Sequence, residues 1–422
     1  MRSAFHRSLL VLLAASALAC ACVPADAGSP ARRAAAERSP YHGTPYAKRE
    51  DAMDWAEAMA QRRGLGTSWV RAAIGHAQML PVIVRLVQPA PPGQPKNWQA
   101  YRSRFIEPRR IAAGVEFWKD NEAVLARAQQ DFGVPPEIIV GIIGVETIYG
   151  QQMGNFRVLD ALATLAFDFP ASHPRAQERT DYFRGELEQF LVTEAQRKGD
   201  PRKPLGSYAG AMGMAQFMPG SWAKWAIDYD GDGRIDLRGS AADVIGSVAN
   251  YFKSYGWQPG LPTHYPVSFD PARLDLDALL APDILPTFTP EKFTDLGAVL
   301  DTPGREHPGK LALIELQNGD NPPEYVAGTE NFYVITRYNW SSYYAMAVIE
   351  LGQEVKSVVR SLGGSETGLR WAEKGLEARR GNGSILHVLT RFRNDAYGPL
   401  SAQPSGPSPE TRHASLRAPY VH

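Results

Sequence analysis

A single carboxylate, that of Glu146, falls near the end of a stretch that is otherwise almost entirely apolar. The stretch is Pro135–Gly150, with the sequence PPEIIVGIIGVETIYG. A helix that is hydrophobic on all sides is buried, and burial raises the pKa of an unpaired carboxyl group because its charged form loses water. A carboxyl group of raised pKa suits general acid and base catalysis. The alternative interpretation is an ordinary salt-bridged or surface Glu at a helix end.

The flanking residues predict the helix itself. Pro135–Pro136 fit its first turn, where a missing N–H costs little, and Gly150 suits the left-handed residue just past its end. Glu146 would then lie in the last turn, where the partial negative charge of the helix terminus raises its pKa further. Ile142 and Ile143, one turn earlier on the same face, would place apolar walls beside the carboxyl group.

Two further segments combine small, aromatic and amide side chains. Gly206–Ser221 is dense in Gly, Ala and Met and contains Gln216, whose amide can bond a neighbour or a ligand. Asn331–Leu351 begins as an aromatic run typical of a strand and continues as an apolar-periodic helix from about Tyr343. Its rings, interleaved with Asn339 and two serines, suit stacking on sugar faces. Plain core packing is the alternative.

Together these segments resemble the family 3 lytic murein transglycosylases. The resemblance extends from about Asp51 to Leu351 and includes Phe117-Trp118, LDALATL at 159–165, GELE at 185–188 and IGSVANYF at 245–252. It implies a mainly α (α+β) fold, in which a lysozyme-like catalytic core is joined by an additional helical domain and a small β insertion. It also implies cleavage between N-acetylmuramic acid and N-acetylglucosamine in peptidoglycan, with products that end in 1,6-anhydromuramic acid.

The resemblance places the family's single catalytic acid and base on Glu146. In the family mechanism this acid protonates the leaving glycosidic oxygen and then takes the proton from the C6 hydroxyl of the muramic residue. The second protein carboxylate of ordinary glycoside hydrolysis is then unnecessary, and no cofactor is required. The family's substrate contacts correspond to Ser207, Gln216, Tyr251, Tyr338, Asn339 and Tyr344. Gln216 and Tyr338 are expected nearest the acid.

Two other functions fit the same residues. A muramidase-type hydrolase would cleave the same bond with water in place of the C6 hydroxyl. A non-catalytic peptidoglycan-binding protein would keep the fold without turnover, but the intact Glu146, Gln216 and Tyr338 argue against it.

The sequence departs from the family pattern at the residues expected to contact the peptide stem of the substrate. Glu178-Arg179 stands where relatives commonly carry two arginines thought to contact this stem.

A fourth group of residues matches the loop of an EF-hand. The predicted Ca²⁺ ligands, at loop positions 1, 3, 5, 7 and 9, are Asp228, Asp230, Asp232, Arg234 through its main-chain carbonyl, and Asp236. Position 12 is Gly239 in place of a bidentate acid, so Ca²⁺ should bind weakly, at about 10⁻⁴–10⁻³ M, unless Asp243 or water fills the gap. We predict a structural role beside the cleft. An acidic turn capped by its own side chains is the alternative, and a Ca²⁺ sensor is disfavoured because a single damaged loop has no paired hand.

The first residues predict export. An apolar run, Leu9–Leu18, follows two arginines and is typical of a secretory signal. Two processing sites compete: Cys20 after an imperfect lipobox, which would be lipidated, and Ala25–Ala27 for ordinary cleavage. The first would give an outer-membrane lipoprotein facing the periplasm of a Gram-negative bacterium, and the second a soluble periplasmic protein. Both cysteines of the chain, Cys20 and Cys22, lie here, so the catalytic body has no disulfide.

Composition divides the chain further. We predict a signal segment at 1–27, a flexible tether at 28–50, a helical domain at 51–134, the catalytic core at 135–257, a β-rich insertion at 258–330, the aromatic segment with a closing helix at 331–361, and a disordered tail at 362–422. Net charge is zero, so no nucleic-acid partner is expected. The expected partner is the peptidoglycan glycan strand, bound by a monomer through shape, hydroxyl hydrogen bonds and aromatic stacking.

Overall fold

The structure is a computed structural model that describes residues 43–88 and 95–363. The predicted signal segment, both processing sites with Cys20, and the predicted tail from residue 364 onward lie outside the described residues. Within the described ranges, none of the helices is long and apolar enough to cross a membrane.

Helices dominate the described part of the chain, as the mainly α prediction requires. In chain order they are α1 (Glu50–Arg63), α2 (Thr67–His76), α3 (Pro81–Leu86), α4 (Trp98–Arg102), α5 (Pro108–Asp120), α6 (Glu122–Phe132), α7 (Pro136–Thr147), α8 (Val158–Phe167), α9 (Ala176–Gln196), α10 (Pro219–Trp225), α11 (Ala241–Ser254), α12 (Leu276–Leu280), α13 (Pro290–Asp295), α14 (Thr302–Arg305), α15 (Glu330–Thr336) and α16 (Ser342–Gly363). A short 3-10 helix, Tyr46–Lys48, precedes α1.

The strands are short and antiparallel. They are β1 (Thr44–Pro45), β2 (Gln78–Met79), β3 (Phe156–Arg157), β4 (Leu205–Gly206), β5 (His264–Phe269), β6 (Ala298–Leu300), β7 (Ala312–Asn318) and β8 (Asn321–Gly328). β1 pairs with β2, β3 pairs with β4, and the other four form one sheet in the order β6-β5-β8-β7. This sheet lies in the segment predicted as a β-rich insertion, and its inward residues, with helix residues such as Leu279 and Phe293, form a separate small core.

The helix that carries the candidate acid, α7, crosses α16 at very short range. A Cβ atom on Gly141 would lie 2.2 Å from the carbonyl oxygen of Val348 in α16. On the other side of the contact, a Cβ atom on Gly352 would lie 1.9 Å from the carbonyl oxygen of Glu137. Only glycine permits so close a backbone approach. The two helices therefore meet in one fixed register, which sets where their side chains face each other.

The chain packs from Gly43 onward, so the predicted tether was wrong for residues 43–50. β1 pairs with β2, and Tyr46 is buried with its hydroxyl donating to Asp168 Oδ2 at 2.5 Å. Arg49 forms an ion pair with the same carboxylate at 2.9 Å. Composition marks this segment as polar, but it does not show that a tyrosine and an arginine have a partner 122 and 119 residues later.

The aromatic run expected to be a strand is helical, so that prediction was also wrong. Residues 330–336 form α15, in which the Thr329 side chain caps the N–H of Asn331. Phe332, Ile335 and Thr336 are buried on one face at helical spacing. β-Branched and aromatic residues favour strands only weakly, and here the buried helical face prevails. The closing helix α16 ends at Gly363, two residues beyond the predicted boundary of 361.

Candidate active site

Glu146 is the penultimate residue of α7 and is half-buried. Ile142 and Ile143, one turn earlier on the same face, are fully buried. The carboxyl group therefore lies at the end of an apolar helix, at the edge of the core, with part of its surface open.

The chain reverses sharply right after the acid. Ile148 and Tyr149 adopt left-handed φ values of 50° and 54°, ahead of Gly150 at 87°. Gly150 is left-handed as predicted, but the turn begins two residues earlier, at Ile148, directly after α7 ends. Left-handed residues other than glycine cost about 1–3 kcal/mol each and cluster at active sites. Burial of Ile148 and the stacking of Tyr149 on Phe117, at 5.2 Å between centroids, offset this cost.

Three tyrosines from other elements surround Glu146. The hydroxyl of Tyr344, in α16, donates a hydrogen bond to Glu146 Oε1 at 2.5 Å. Tyr338, between α15 and α16, stacks on Tyr344 with 6.5 Å between ring centroids. Burial, and then the nearby charge of Glu146, raise the pKa of both Tyr101 and Tyr338. All three phenols are therefore neutral around the acid.

Burial raises the pKa of Glu146 to about 7, while the hydrogen bond from Tyr344 acts in the opposite direction. No second carboxyl group among the described residues contributes to this shift. A large fraction of the protein therefore holds a proton on Glu146 at neutral pH. A carboxyl group with a pKa near the working pH can both give and accept a proton.

The predicted small-residue segment, 206–221, forms a tight loop against the end of α7. Thr147 Oγ1 donates to the carbonyl of Met214 at 2.8 Å. Gln216 has a left-handed φ of 50°, and its side-chain amide donates to the carbonyl of Gly213 at 2.9 Å. The loop is thereby held beside the acid, while the Gln216 amide nitrogen is used to shape the loop itself.

The aromatic residues predicted to contact substrate form one cluster. The rings of Tyr251 and Tyr338 are 4.9 Å apart, and Tyr338 donates to the carbonyl of Ala215 at 2.5 Å. Tyr344 makes the direct hydrogen bond to Glu146. The expectation that Gln216 and Tyr338 lie nearest the acid thus needs correction, since the turn into α16 brings Tyr344 closer.

The two remaining predicted contacts differ from each other. Ser207 Oγ accepts from the N–H groups of Ala209 and Ala211, and so closes the turn at the start of the loop. Asn339 is only 4% exposed, and within the described part of the chain its Nδ2 has no hydrogen-bond partner. An unpaired buried amide costs about 1–3 kcal/mol, which a substrate acceptor at this position would recover.

Sequence reasoning missed Tyr101. Trp98, Tyr101 and Phe105 are spaced three and four residues apart, which predicts one aromatic face on a helix. That face packs on Tyr343 of α16, with 5.8 Å between the rings of Tyr101 and Tyr343. The spacing was visible in the sequence, but nothing local indicates that the face reaches Glu146.

Where the resemblance expects two arginines for the peptide stem, the side chains have other roles. Glu178 forms an ion pair with Arg175 at 2.6 Å. Arg179 is only 7% exposed, on the inner side of α9. The side chain at 179 is thus mostly covered by the protein's own residues.

The predicted metal loop brings three of its carboxylates together. One oxygen each from Asp228, Asp230 and Asp232 lie within 4.8 Å of one another. Three carboxylate oxygens at this spacing suit a hard divalent cation such as Ca²⁺. Asp236 is not part of this trio, and its Oδ1 accepts from the N–H groups of Arg238 and Gly239. Arg234 is exposed and its N–H donates to Asp232.

Asp243, the possible substitute for the missing twelfth ligand, has another role. It is 1% exposed and accepts N–H bonds from Tyr229, Asp230 and Asp236. Its carboxylate therefore holds the loop in shape from below. A Cβ atom on Gly239 would lie 2.6 Å from Asp236 Oδ2, so a side chain at position 12 would require the Asp236 carboxylate to shift.

Comparison with known proteins gives a consistent picture. The family described as transglycosylase SLT domain matches residues 48–353. Membrane-bound lytic murein transglycosylase B of Escherichia coli (strain K12) is 38% identical over 334 residues, covering 74% of this chain and 84% of that protein. The solved structure of the E. coli lytic transglycosylase Slt35 in complex with calcium is 38% identical with a TM-score of 0.64, over 76% of this chain and 96% of that one.

Soluble lytic transglycosylase SltB1 from Pseudomonas aeruginosa is 37% identical with a TM-score of 0.65, over 73% of this chain and 99% of that chain. These likenesses confirm the predicted mainly α, lysozyme-like fold class.

Glu146→Gln should change how stability depends on pH. The pKa of Glu146 in the folded protein, about 7, lies above its ordinary value of 4.5. The protonated acid therefore stabilises the fold below about pH 4.5, and this contribution, up to about 3 kcal/mol, is lost as pH rises through about 7. The melting temperature of the Gln variant should accordingly rise relative to wild type between about pH 5 and about pH 8. A difference that is the same at both pH values would contradict the raised pKa.

Proposed function

This chain belongs to the transglycosylase SLT domain family and is a lytic transglycosylase that acts on peptidoglycan, and we propose that Glu146 is its single catalytic acid and base. The family resemblance in the sequence is thereby confirmed. The bond cleaved is the β-1,4 bond between N-acetylmuramic acid and N-acetylglucosamine, and the product ends in 1,6-anhydromuramic acid. The observation that carries the proposal is the carboxyl group of Glu146 at the end of the apolar helix α7, with a near-neutral pKa to which no other acid among the described residues contributes.

The reaction takes two proton transfers on one carboxyl group. Protonated Glu146 gives its proton to the glycosidic oxygen as the bond from that oxygen to C1 breaks. The resulting carboxylate takes the proton of the C6 hydroxyl while the C6 oxygen bonds to C1. Atoms balance without water, and the enzyme ends protonated as it began. The chemistry needs no cofactor, because the nucleophile belongs to the sugar and is already positioned by it.

The surrounding phenols support both states of the acid. Tyr344 donates to Glu146 Oε1, and a donor favours the carboxylate, which must exist between the two transfers. The hydrogen bond also orients the carboxyl group. Tyr101 and Tyr338 bring neutral rings, so the site stays apolar enough to keep the acid protonated at the start.

The glycan is bound by the aromatic cluster and by the loop. Asn339 contributes a buried amide without a partner among the described residues, suited to a sugar hydroxyl or an N-acetyl carbonyl. Tyr251, Tyr338 and Gln216 line the same region, and Ser207 shapes its edge. A hydrolase that uses water in place of the C6 hydroxyl remains the alternative for the same residues.

Glu146→Gln should lower turnover of purified sacculi by about 10²–10⁴-fold, because an amide cannot donate the proton. Mass spectrometry of wild-type products should show ends lighter by one water than hydrolysed ends. Glu194→Gln is the matched control, since Glu194 is another buried carboxyl group whose pKa is raised by burial, but it belongs to α9 and should leave turnover unchanged. Hydrolysed ends would identify a muramidase. Turnover of the Glu146 variant within tenfold of wild type would exclude the single-acid mechanism.

The predicted metal loop, residues 228–239, is called the aspartate loop, and the loop formed by residues 206–221 is called the catalytic loop. The aspartate loop binds Ca²⁺ weakly and braces the catalytic loop. Support comes from the carboxylate trio of Asp228, Asp230 and Asp232 and from the calcium complex of Slt35. Leu237, in the same loop, accepts the N–H of Met214 at 2.8 Å. A cation would therefore stiffen the support of the segment that carries Gln216, while taking no part in the bond cleavage.

About 10 mM Ca²⁺, roughly tenfold above a dissociation constant of 10⁻³ M, should stabilise the protein by about 1.4 kcal/mol through mass action. The measurement is the melting temperature with and without Ca²⁺. An Asp230→Asn, Asp232→Asn double variant should lose the shift, whereas Asp320→Asn, which changes an exposed aspartate outside the loop, should keep it. If wild type shows no shift, the loop is an acidic turn only.

The enzyme works in the cell envelope, held there by a lipid on Cys20. Support comes from the apolar run Leu9–Leu18 with the cysteine just after it and from the E. coli relative, which is named membrane-bound. The acyl chains of a bacterial lipoprotein exceed the two signals that stable anchoring requires. The protein acts there as a monomer on glycan strands.

Cys20→Ser should move the protein from the membrane fraction to the soluble periplasm, because the acceptor of the lipid is removed. Specific activity on soluble muropeptides should stay the same. Cys22→Ser is the matched control and should remain in the membrane fraction. A soluble wild-type protein whose N-terminal residue is Gly28 would show that cleavage follows Ala25–Ala27 and that no lipid is attached.

A further inference from the structure

A buried guanidinium lies behind the turn that carries Glu146. Arg110, in the first turn of α5, is 9% exposed. Its Nη1 donates to the carbonyl oxygen of Gly144 at 2.6 Å and lies 3.4 Å from that of Val145. These carbonyls belong to the two residues that directly precede Glu146. Neither the substrate contacts nor the catalytic step described above uses this arginine.

The remaining partners of the guanidinium neutralise its charge only in part. Nη2 donates to the carbonyl of Arg104 at 3.4 Å, and Nε lies 3.9 Å from Glu107 Oε1, a half-buried carboxylate that also caps α5. The ring of Phe105 lies under the guanidinium at 5.2 Å. Burying an arginine is costly unless hydrogen bonds compensate. Here two of the three hydrogen bonds to carbonyl groups are made with α7, which ties the cost to the geometry of that helix.

The end of α7 is where a cation has the largest effect. The last carbonyls of a helix carry a partial negative charge and lack partners within the helix; at the end of α7 the carbonyl of Gly144 also accepts the N–H of Ile148, just past the helix. That negative end lies next to Glu146 and disfavours its ionised form. Arg110 donates hydrogen bonds to carbonyls at this helix end and places a positive charge beside their partial negative charge. Protein, rather than water, surrounds the guanidinium and these carbonyls.

We propose that Arg110 is a positioning residue for Glu146: it fixes the last turn of α7 from behind, and its charge offsets the negative helix end so that Glu146 can become the carboxylate required for the second proton transfer. The inference rests on the role proposed above for Glu146. It assigns opposite sides of the acid to different tasks, with Tyr344 orienting the carboxyl group from the front and Arg110 holding the backbone behind it.

Within the described part of the chain, the tyrosines around Glu146 are neutral. Tyr344 from α16, Tyr338 from the turn before it and Tyr101 from α4 are phenols whose pKa values are raised by burial. Arg104 lies near Tyr101 and slightly favours its ionised form. None of these tyrosines titrates near neutral pH, so they would not mask the effect of a charge change at position 110 on the pKa of Glu146.

The test compares Arg110→Met, which removes charge and donors, with Arg110→Lys, which keeps the charge. Turnover that needs a protonated Glu146 falls as pH rises through the pKa of that group. This fall is the alkaline limb of the pH profile of turnover. Without the positive charge of Arg110, the alkaline limb should move to higher pH by about half a unit in the Met variant. It should stay in place in the Lys variant. In the Met variant kcat should drop by about tenfold with KM within twofold of wild type, because a misplaced acid affects the chemical step.

Arg109→Gln is the matched control. Arg109 is the exposed neighbour that bonds Gln151 at the surface, so its loss removes the same charge without touching α7, and neither kcat nor the limb should change. If the Met variant does not fold, Arg110→Gln, which keeps an amide donor for the carbonyls, provides the neutral variant. If that variant also fails to fold, Glu107→Gln removes the negative charge near the Arg110 guanidinium. The positive charge of Arg110 then acts more strongly, and the alkaline limb should move to lower pH.

A ¹³C titration of the Glu146 carboxyl group reads the same shift without turnover. This titration distinguishes failure of the inference about Arg110 from failure of the mechanism proposed for Glu146. If the Glu146 carboxyl group titrates as expected but the enzyme makes hydrolysed ends, only the proposed mechanism is contradicted. The inference is overturned if the Met or Gln variant loses thermal stability while kcat and the titration match wild type. It is equally overturned if the Lys variant shifts as far as the neutral one.

Discussion

The close crossing of α7 and α16 is the constraint on which the geometry around Glu146 depends. Gly141 and Gly352 let each backbone touch the carbonyl of the other helix. The register set in this way brings Tyr344 of α16 to within 2.5 Å of Glu146 of α7. Neither side chain alone could hold that distance, because a surface-exposed carboxyl group and a free phenol would both prefer water. A larger residue at either glycine would push the two helices apart and so separate the pair.

Several features of the site cost folding free energy and are useful for the reaction. A carboxyl group whose pKa is raised by burial destabilises the ionised fold, two left-handed residues follow it, and the Asn339 amide is unpaired among the described residues. Each costs about 1–3 kcal/mol. The surrounding core, which is continuous through α7, α8, α9 and α16, is large enough to carry these costs. The conflict between stability and function is therefore confined to one turn and its neighbours.

Much of the site could be predicted from local pattern. The apolar helix with one late carboxylate, the small-residue loop and the aspartate loop are continuous segments with recognisable chemistry. The parts that could not be predicted depend on partners distant in sequence. Tyr101 and Glu146 are separated by 45 positions and Tyr344 by 198, so no local pattern joins them. The misassigned strand at 331–336 has the same origin, since burial of one helical face outweighs the β propensity of its aromatic residues.

The aspartate loop and the catalytic loop share a physical link that does not depend on a bound cation. Met214 bonds the carbonyl of Leu237 on one side, and its own carbonyl accepts from Thr147 on the other. Leu237 is fully buried, so the aspartate loop is anchored to the core at this point whether or not a cation is bound. Asp243 accepts N–H bonds from Tyr229 and Asp236 and so holds the shape of the loop without a tightly bound metal ion. The protein itself therefore holds the loop, and a bound Ca²⁺ would only add stiffness to a support that already exists.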